Sequence, residues 1–262
     1  MKHLIIITLI LFFSATIAHA DNNTYQFMQS YMKSNNLTGT IIIESLNGDK
    51  VYTFNKTRST ERFLPASTFK IPNTLIALQE KAVKDETDTF QWNGHVYDFP
   101  DWNKDQNLKS AFQASCVWFY QELAKKIGNG KYLKYLKTLN YGNMKTGTSV
   151  ESFWLDGDLR ISAAEQVEFL KNCYLEKFPF DKNCYQILKN LMIVDKNDKY
   201  TLRAKTGTTA RVSPSIGWYV GYIETEMDVY FFACNIDMSK PEHSKFRKDI
   251  VYAALKELNI IK

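Results

Sequence analysis

Apolar positions along the chain follow two different periods, and the change from one to the other divides it into three stretches. Tyr25, Met28 and Met32 recur at helical spacing before Gly39 punctuates the run. Thr40 to Glu44 is apolar and β-branched, Asn47-Gly48-Asp49 signals a turn, and Lys50 to Phe54 alternates, which predicts an antiparallel hairpin. From Ile71 to Leu78 the pattern is helical, with Pro72 to be absorbed by local tightening or a kink. Asp85 to Asn107 is rich in Trp, Asp and Asn without a clear period and reads as a long loop. Helical spacing resumes at Leu108, breaks at Ser115-Cys116-Val117, and continues from Trp118 to Ile127 with Gly128 as the stop. Further helices are predicted over Lys131 to Leu139, from a capping box at Ser162-Ala163-Ala164-Glu165 to about Tyr174, and over Tyr185 to Ile193. Beyond Asp195 to Asp198 the period returns to that of strands, at Tyr200 to Lys205, Ile216 to Ile223 and Val229 to Ile236, and Phe246, Ile250, Ala254 and Leu258 mark one face of a closing helix.

Strands at both ends with helices between them predict an α/β fold of the α+β type. A mostly antiparallel sheet, built from both chain ends and flanked by helices, carries an inserted all-helical lobe. The boundaries follow: a leader over 1–20, then a single domain over 21–262, with a mixed lobe of about 21–65 and 196–262 and a helical lobe of about 66–195. A cleft between lobes is the expected place for a ligand.

The N-terminus changes what should be counted. Lys2 and His3 precede the apolar run Leu4 to Phe13 and the small-residue site Ala18-His19-Ala20, the pattern of a secretory signal with cleavage after Ala20. That run is too short for a membrane span and no comparable run follows, so a periplasmic or secreted protein without a membrane anchor is expected. Cleavage removes Lys2 and no acid, taking the formal net charge from +5 to +4. No dense basic run with interleaved aromatics suggests nucleic-acid binding. The four cysteines, Cys116, Cys173, Cys184 and Cys234, form no C-x-x-C and are expected as buried thiols, with a Cys173–Cys184 disulfide left open. Of the histidines outside the leader, His95 and His243 have no zinc-ligand spacing and no nucleophile beside them, which argues against a zinc hydrolase or a Ser-His-Asp triad.

Candidate chemistry starts at Pro65-Ala66-Ser67-Thr68-Phe69-Lys70, where a turn opens into a helix and sets Ser67 and Lys70 three residues apart on one face. Free backbone N–H groups at a helix start favour developing negative charge, which suits a nucleophile. The same S-x-x-K spacing at Ser30 and Lys33 reads as an amphipathic surface helix. Lys-Thr-Gly also occurs twice. Lys145-Thr146-Gly147 lies in a polar loop, whereas Lys205-Thr206-Gly207 ends a strand-like run ahead of an aromatic strand, where a cation and backbone N–H groups can face a cleft.

The ordered set Ser67-x-x-Lys70, Ser115-x-Val117, Tyr141-Gly142-Asn143, Trp154 and Lys205-Thr206-Gly207 resembles the penicillin-recognising serine enzymes, and specifically the class D, oxacillinase-type β-lactamases. The resemblance runs from about Gly39 to the C-terminal helix. Tyr141-Gly142-Asn143 in place of Ser-Asp-Asn favours class D over class A, and Glu168 with Asn172, which mimic a class A base spacing, read as surface residues. The resemblance implies hydrolysis of small-molecule β-lactams. Ser67 is expected to attack the lactam carbonyl, with Lys70 as general base in the form of a carbamate made from carbon dioxide or bicarbonate, and no other cofactor or metal. It further implies that Ser115 relays protons, Val117 walls the lysine and Trp154 donates its indole N–H to the carbamate. Lys205 and Arg247, helped by Thr206 and Gly207, are expected to meet the substrate carboxylate. The N–H groups of Ser67 and Thr208 are expected to form the oxyanion hole. Thr208 departs from the aromatic residue that many members carry there. Loop geometry around Trp102, Val117, Thr208 and Tyr222 is expected to decide which bulky β-lactams enter.

Elementary chemistry agrees. A free lysine near pKa ~10.4 is almost wholly protonated at neutral pH, so a base at Lys70 requires burial. Phe69, Val117, Trp154 and Leu155 are the apolar candidates to bury it, although Trp154 also reads as plain core. Two other functions share the motifs: a β-lactam sensor that stays acylated, and a D,D-peptidase, which usually has Asn where this chain has Val117.

Overall fold

The computed structural model of the protein describes residues 23–262, so the leader over 1–20 lies outside the described residues. A helix over residues 23–34 (α1) leads into strands β1 (Gly39–Ser45) and β2 (Val51–Phe54), the short helix α2 (Lys56–Thr60) and a 3-10 turn (Ala66–Phe69) that runs directly into α3 (Lys70–Gln79). Strands β3 (Thr89–Phe90) and β4 (Gln106–Asn107) pair at the base of a long loop, followed by helices α4 (Leu108–Gln113), α5 (Val117–Ile127) and α6 (Asn129–Thr138). Helices α7 (Ala163–Tyr174) and α8 (Lys182–Leu191) complete the middle of the chain. Strands β5 (Ile193–Lys196), β6 (Tyr200–Thr208), β7 (Ser215–Thr225) and β8 (Val229–Met238) and helix α9 (Phe246–Glu257) close it.

Six strands form one antiparallel sheet in the order β2-β1-β8-β7-β6-β5, joining the two ends of the chain through the β1–β8 pairing. Both faces are covered. In β7, Ile216, Trp218, Val220 and Tyr222 point into the core beneath α3, α5, α7 and α8, while Tyr219 and Ile223 point into a second core under α1 and α9. Alternate residues of a strand face opposite sides, so a sheet buried on both faces reads as a continuous apolar run rather than an alternation. On α9, Ile250, Val251, Ala254 and Leu255 are fully buried against the sheet, and Met28 and Met32 of α1 join them.

Pro72 is accommodated by the first of the two expected means, local tightening: it is the third residue of α3, directly after the 3-10 turn Ala66–Phe69. Several boundaries differ from the sequence expectation. Helix α8 ends at Leu191, and Ile193, expected within it, starts edge strand β5. That strand buries no face, with Ile193 and Val194 both exposed, so it carries no period-two signal. Strand β6 continues through Lys205 to Thr208. The capping box of α7 is present, with Ser162 Oγ accepting from the Glu165 N–H and the Glu165 carboxylate accepting from the Ser162 N–H. All four cysteines are buried and free. Cys184 Sγ lies 3.8 Å from Gln79 Oε1, its hydrogen-bond partner, and the Cys173–Cys184 disulfide is not formed.

Candidate active site

The chain entering the site is anchored by hydrogen bonds to three other segments. Leu64 O accepts from Trp218 Nε1 at 2.9 Å, Phe63 bridges to Ile161, and Ala66 N–H donates to Trp154 O at 2.9 Å. Ala66 is held at φ 48°, a left-handed conformation that costs a residue with a Cβ about 1–2 kcal/mol. The turn it starts lifts Ser67, the one partly exposed residue between Leu64 and Lys70, out of an otherwise buried segment. Gly207 of β6 packs directly on this turn: a Cβ there would stand 3.0 Å from Pro65 O and 3.2 Å from Thr68 N, so a glycine lets the strand approach the nucleophile.

Lys70 begins α3 and is 1% exposed. Its Nζ lies 3.1 Å from Ser67 Oγ, within reach for proton transfer. It also stands 4.9 Å from the centre of the Tyr120 ring, whose hydroxyl is tied to Thr74 Oγ1 at 2.8 Å. Burial pulls the Lys70 ammonium down to about 7, with the neighbouring Cys116 acting weakly the other way. A drop of that size is worth about 5 kcal/mol in favour of the neutral amine. Trp154 is fully buried and stacks on Phe69 with ring centres 5.7 Å apart, yet its Nε1 has no acceptor. An orphaned buried donor costs about 1–3 kcal/mol, and packed against Phe69, the residue before the buried Lys70, it fits an anionic oxygen placed on that lysine.

Ser115 sits between α4 and α5 at φ 54°, a second strained residue at the site. Its Oγ accepts from Lys205 Nζ, which also donates to Thr206 O at 3.2 Å. Lys205 is 4% exposed, and its ammonium is pulled well below the usual lysine range by burial and by the charges of Lys70, Arg247 and Lys248. From α9, Arg247 crosses over Gly217, where a Cβ would meet its Cδ at 3.5 Å, and donates Nη1 to Gly207 O at 2.8 Å and to Thr208 Oγ1 at 2.6 Å. Its Nε is buried without a partner. No carboxylate acts on Lys70 or Lys205 among the described residues, so this is a concentration of cations suited to an anion.

Backbone parity orients the remaining donor. Thr209 N–H donates to Ile216 O of β7, and Ala204 N–H donates on the opposite side to Met192 O. Thr208 has the parity of Ala204 in an unbroken register, so its N–H points away from β7, toward the nucleophile turn. Ser67, Lys70, Ser115, Trp154, Lys205, Gly207, Thr208 and Arg247 thus converge. Half-buried Val117 opens α5 beside Ser115, and half-buried Thr206 lies between Lys205 and Gly207.

Other candidates fall elsewhere. Ser30, Lys33, Lys145 and Glu168 are exposed, His95 is exposed on the long loop, and His243 is buried in the 3-10 turn before α9. Trp102 does stand near the site, with Nε1 donating to Ala114 O at 3.0 Å. Tyr222 does not: it shares a face of β7 with Trp218, which holds Leu64 O, but lies four residues further along the strand, buried against Tyr174 and Phe231. Sequence reasoning missed Tyr120 and Gln166. Tyr120 lies three residues after Val117 on α5, a helical spacing that already puts the two on one face. Gln166 carried no signal beyond its place in a capped helix.

A serine and a buried lysine on one turn, faced by a second serine and by the lysine of a strand, define the class of penicillin-recognising serine enzymes. In agreement, the penicillin binding protein transpeptidase domain matches residues 14–256. The chain is 43% identical over 223 residues to the β-lactamase OXA-48 of Klebsiella pneumoniae, covering 85% of this chain and 84% of that protein. It is 40% identical to the β-lactamase OXA-20 of Pseudomonas aeruginosa, covering 98% of this chain and 99% of that one. The solved class D β-lactamase YbXI from Nostoc superimposes with a TM-score of 0.87 at 39% identity, over 88% of this chain and 98% of that one. The chain belongs to the class D β-lactamases.

Proposed function

We propose that the protein hydrolyses the β-lactam ring of penicillin-type antibiotics through an acyl-enzyme on Ser67, with Lys70 as general base, and so gives resistance to them. The observation that carries this is a fully buried lysine, pulled to about 7, 3.1 Å from the hydroxyl of a half-exposed serine. The substrate carboxylate binds between Lys205 and Arg247, which sets the lactam carbonyl oxygen toward the N–H groups of Ser67 and Thr208. Ser67 Oγ attacks the carbonyl carbon as its proton moves to the Lys70 side chain. The lactam C–N bond then breaks, and the nitrogen takes a proton from Ser115 Oγ, which is resupplied from Lys205 Nζ. The proton that Lys70 took from Ser67 passes on to Lys205, which gave one up, so that Lys70 is a free base again. It then deprotonates a water that attacks the ester carbonyl, and the same proton goes to Ser67 Oγ as the ester bond breaks, freeing the serine and the ring-opened acid. Carbamylation of Lys70, with the Trp154 N–H as a holder, would supply an anionic oxygen base in place of the amine. The leader-like segment 1–20 supports export, and no helix among the described residues is long and apolar enough to cross a membrane.

Excess benzylpenicillin incubated with the mature enzyme gives many equivalents of ring-opened product per Ser67. One adduct with no further product would make the protein a sensor instead. A second measurement addresses the anion site. Hydrogen bonds to a charged group are worth about 1.5–3 kcal/mol, and the carboxylate contact exists in ground and transition states alike, so Arg247→Ala raises KM for penicillins by about 10-fold to 100-fold and leaves kcat within a few-fold. An unchanged KM removes Arg247 from substrate binding.

A further inference from the structure

The chemistry above gives no task to Tyr141-Gly142-Asn143. Its backbone is pinned: Gly142 sits at φ 57°, where a Cβ would collide with Arg160 O, and Asn143 N–H donates to that same oxygen at 2.9 Å. Asn143 Nδ2 donates to Asp158 O at 2.7 Å, and its Oδ1 accepts from Arg160 N–H at 3.0 Å. The motif is therefore a rigid post, and the side chain it projects is Tyr141, fully buried among Phe69 and Phe169 with centroid distances of 5.7 and 5.0 Å.

Beside it stands Gln166 of α7, also fully buried. Gln166 Nε2 donates to Thr68 Oγ1 at 2.8 Å, and Thr68 Oγ1 and Thr68 N both donate to Pro65 O, at 2.7 and 3.1 Å. Those two bonds bracket Ala66 and Ser67, the strained residue and the nucleophile. Two buried atoms are left over, a donor at Tyr141 Oη and an acceptor at Gln166 Oε1, and each is the complement of the other. Burial pushes the Tyr141 phenol far up, opposed by the nearby Thr68 and Gln166 side chains, so it remains a hydroxyl donor.

We propose that Tyr141 and Gln166 are positioning residues for the nucleophile. The Tyr141 hydroxyl packs against the Thr68 and Gln166 side chains and holds them in place, Gln166 Nε2 holds Thr68, and Thr68 closes the turn that aims Ser67 Oγ and the Ser67 N–H. No proton is transferred along this chain of bonds. It fixes a backbone conformation that Ala66 disfavours and that the attack on a carbonyl requires. The inference rests on acylation at Ser67 as proposed above.

Tyr141→Phe removes the hydroxyl alone, and Gln166→Met keeps the volume of the side chain while removing its hydrogen bond to Thr68. With enzyme counted by active-site titration, benzylpenicillin acylation slows by about tenfold in Tyr141→Phe and about 100-fold in Gln166→Met. The affinity for phenylboronic acid, which adds to Ser67 Oγ, falls by the same factors, while KM for the penicillin stays within about twofold. The double variant is no slower than Gln166→Met, since both residues act through Thr68. Acylation at the wild-type rate in titrated Tyr141→Phe, with or without a lower Tm, overturns the proposal and leaves the network a purely structural one. If Gln166→Met does not fold, Tyr141→Phe decides alone. A wild-type protein that binds phenylboronic acid but is not acylated by penicillin would defeat the functional proposal, and the boronate series would still read the alignment of Ser67.

Discussion

Lys70→Ala acylates with benzylpenicillin about 10²-fold to 10⁴-fold more slowly than the wild type, the usual range for loss of a positioned general base, and the adduct that forms on Ser67 persists. Both effects come from one side chain. Lys70 is the one basic nitrogen bonded to Ser67 Oγ among the described residues, at 3.1 Å, and the water that releases the ester needs a base at the same place. The replacement also removes a buried group whose charged form the core resists, so the variant is expected to keep its fold. Intact mass after penicillin exposure reads the adduct, and a chromogenic cephalosporin reads turnover. A Lys70→Ala enzyme that turns over at the wild-type rate would require another base. The alternatives are poorly placed: Glu168 is exposed on α7 and His243 is buried in the turn before α9.

The surroundings of the two lysines bear on the roles proposed for them, Lys70 as base and Lys205 as the cation that meets the substrate. Each is buried and each is lowered by burial, but Lys205 also feels Lys70, Arg247 and Lys248. Without an anion this cluster repels itself, and a bound carboxylate relieves it. Substrate binding therefore favours the protonated state of Lys205, from which Ser115 draws its proton.

What the sequence made legible was whatever depends on local period or on spacing along the chain. The hairpin β1–β2 and the helices other than the short α2 follow from periodicity, and the long strands β7 and β8 from continuous apolar runs, because each buries at least one face. Strand β5 did not, since it is short and exposed. Ser67 and Lys70 are visible from spacing within a single turn. The pairing of Ser115 with Lys205, 90 residues apart, is not, and only the ordered motifs suggested it. Tyr120 beneath Lys70 and Gln166 behind Thr68 belong to the surroundings of the site. Their role depends on which helix faces contact the turn, and neither residue type is unusual in a helix core. Tyr222 shows the opposite failure: it is expected among the residues shaping the cleft, but it lies four residues along β7 from Trp218, on the same face and away from the site, against Tyr174 and Phe231.

The wild-type rate falls as pH drops through about 7 in buffer stripped of carbon dioxide, and adding bicarbonate recovers it. The sign follows from Lys70: burial lowers the pH at which it loses its proton to about 7, so the amine is neutral above that value and an ammonium below it. Only the neutral amine combines with carbon dioxide, giving a carbamate and releasing a proton, so acid opposes the modification twice over. Removing dissolved carbon dioxide at pH 6.5 should therefore depress the rate more than removing it at pH 8.5. A carbamate there would be an anion, and the unpartnered Trp154 Nε1 would be the donor available to it. Trp154→Ala would confuse the outcome, because deleting a fully buried aromatic stacked on Phe69 costs about 3–5 kcal/mol of stability. Trp154→Phe keeps most of the ring and removes the N–H. A charge-assisted hydrogen bond of about 1.5–3 kcal/mol corresponds to a rise of about 10-fold to 100-fold in the bicarbonate concentration giving half-maximal rate. Titrating both enzymes with ¹³C-labelled bicarbonate, and following the carbamate carbon resonance with the rate, separates occupancy from turnover. A wild-type rate indifferent to bicarbonate across this pH range, with no labelled carbon on Lys70, would leave the neutral amine itself as the base.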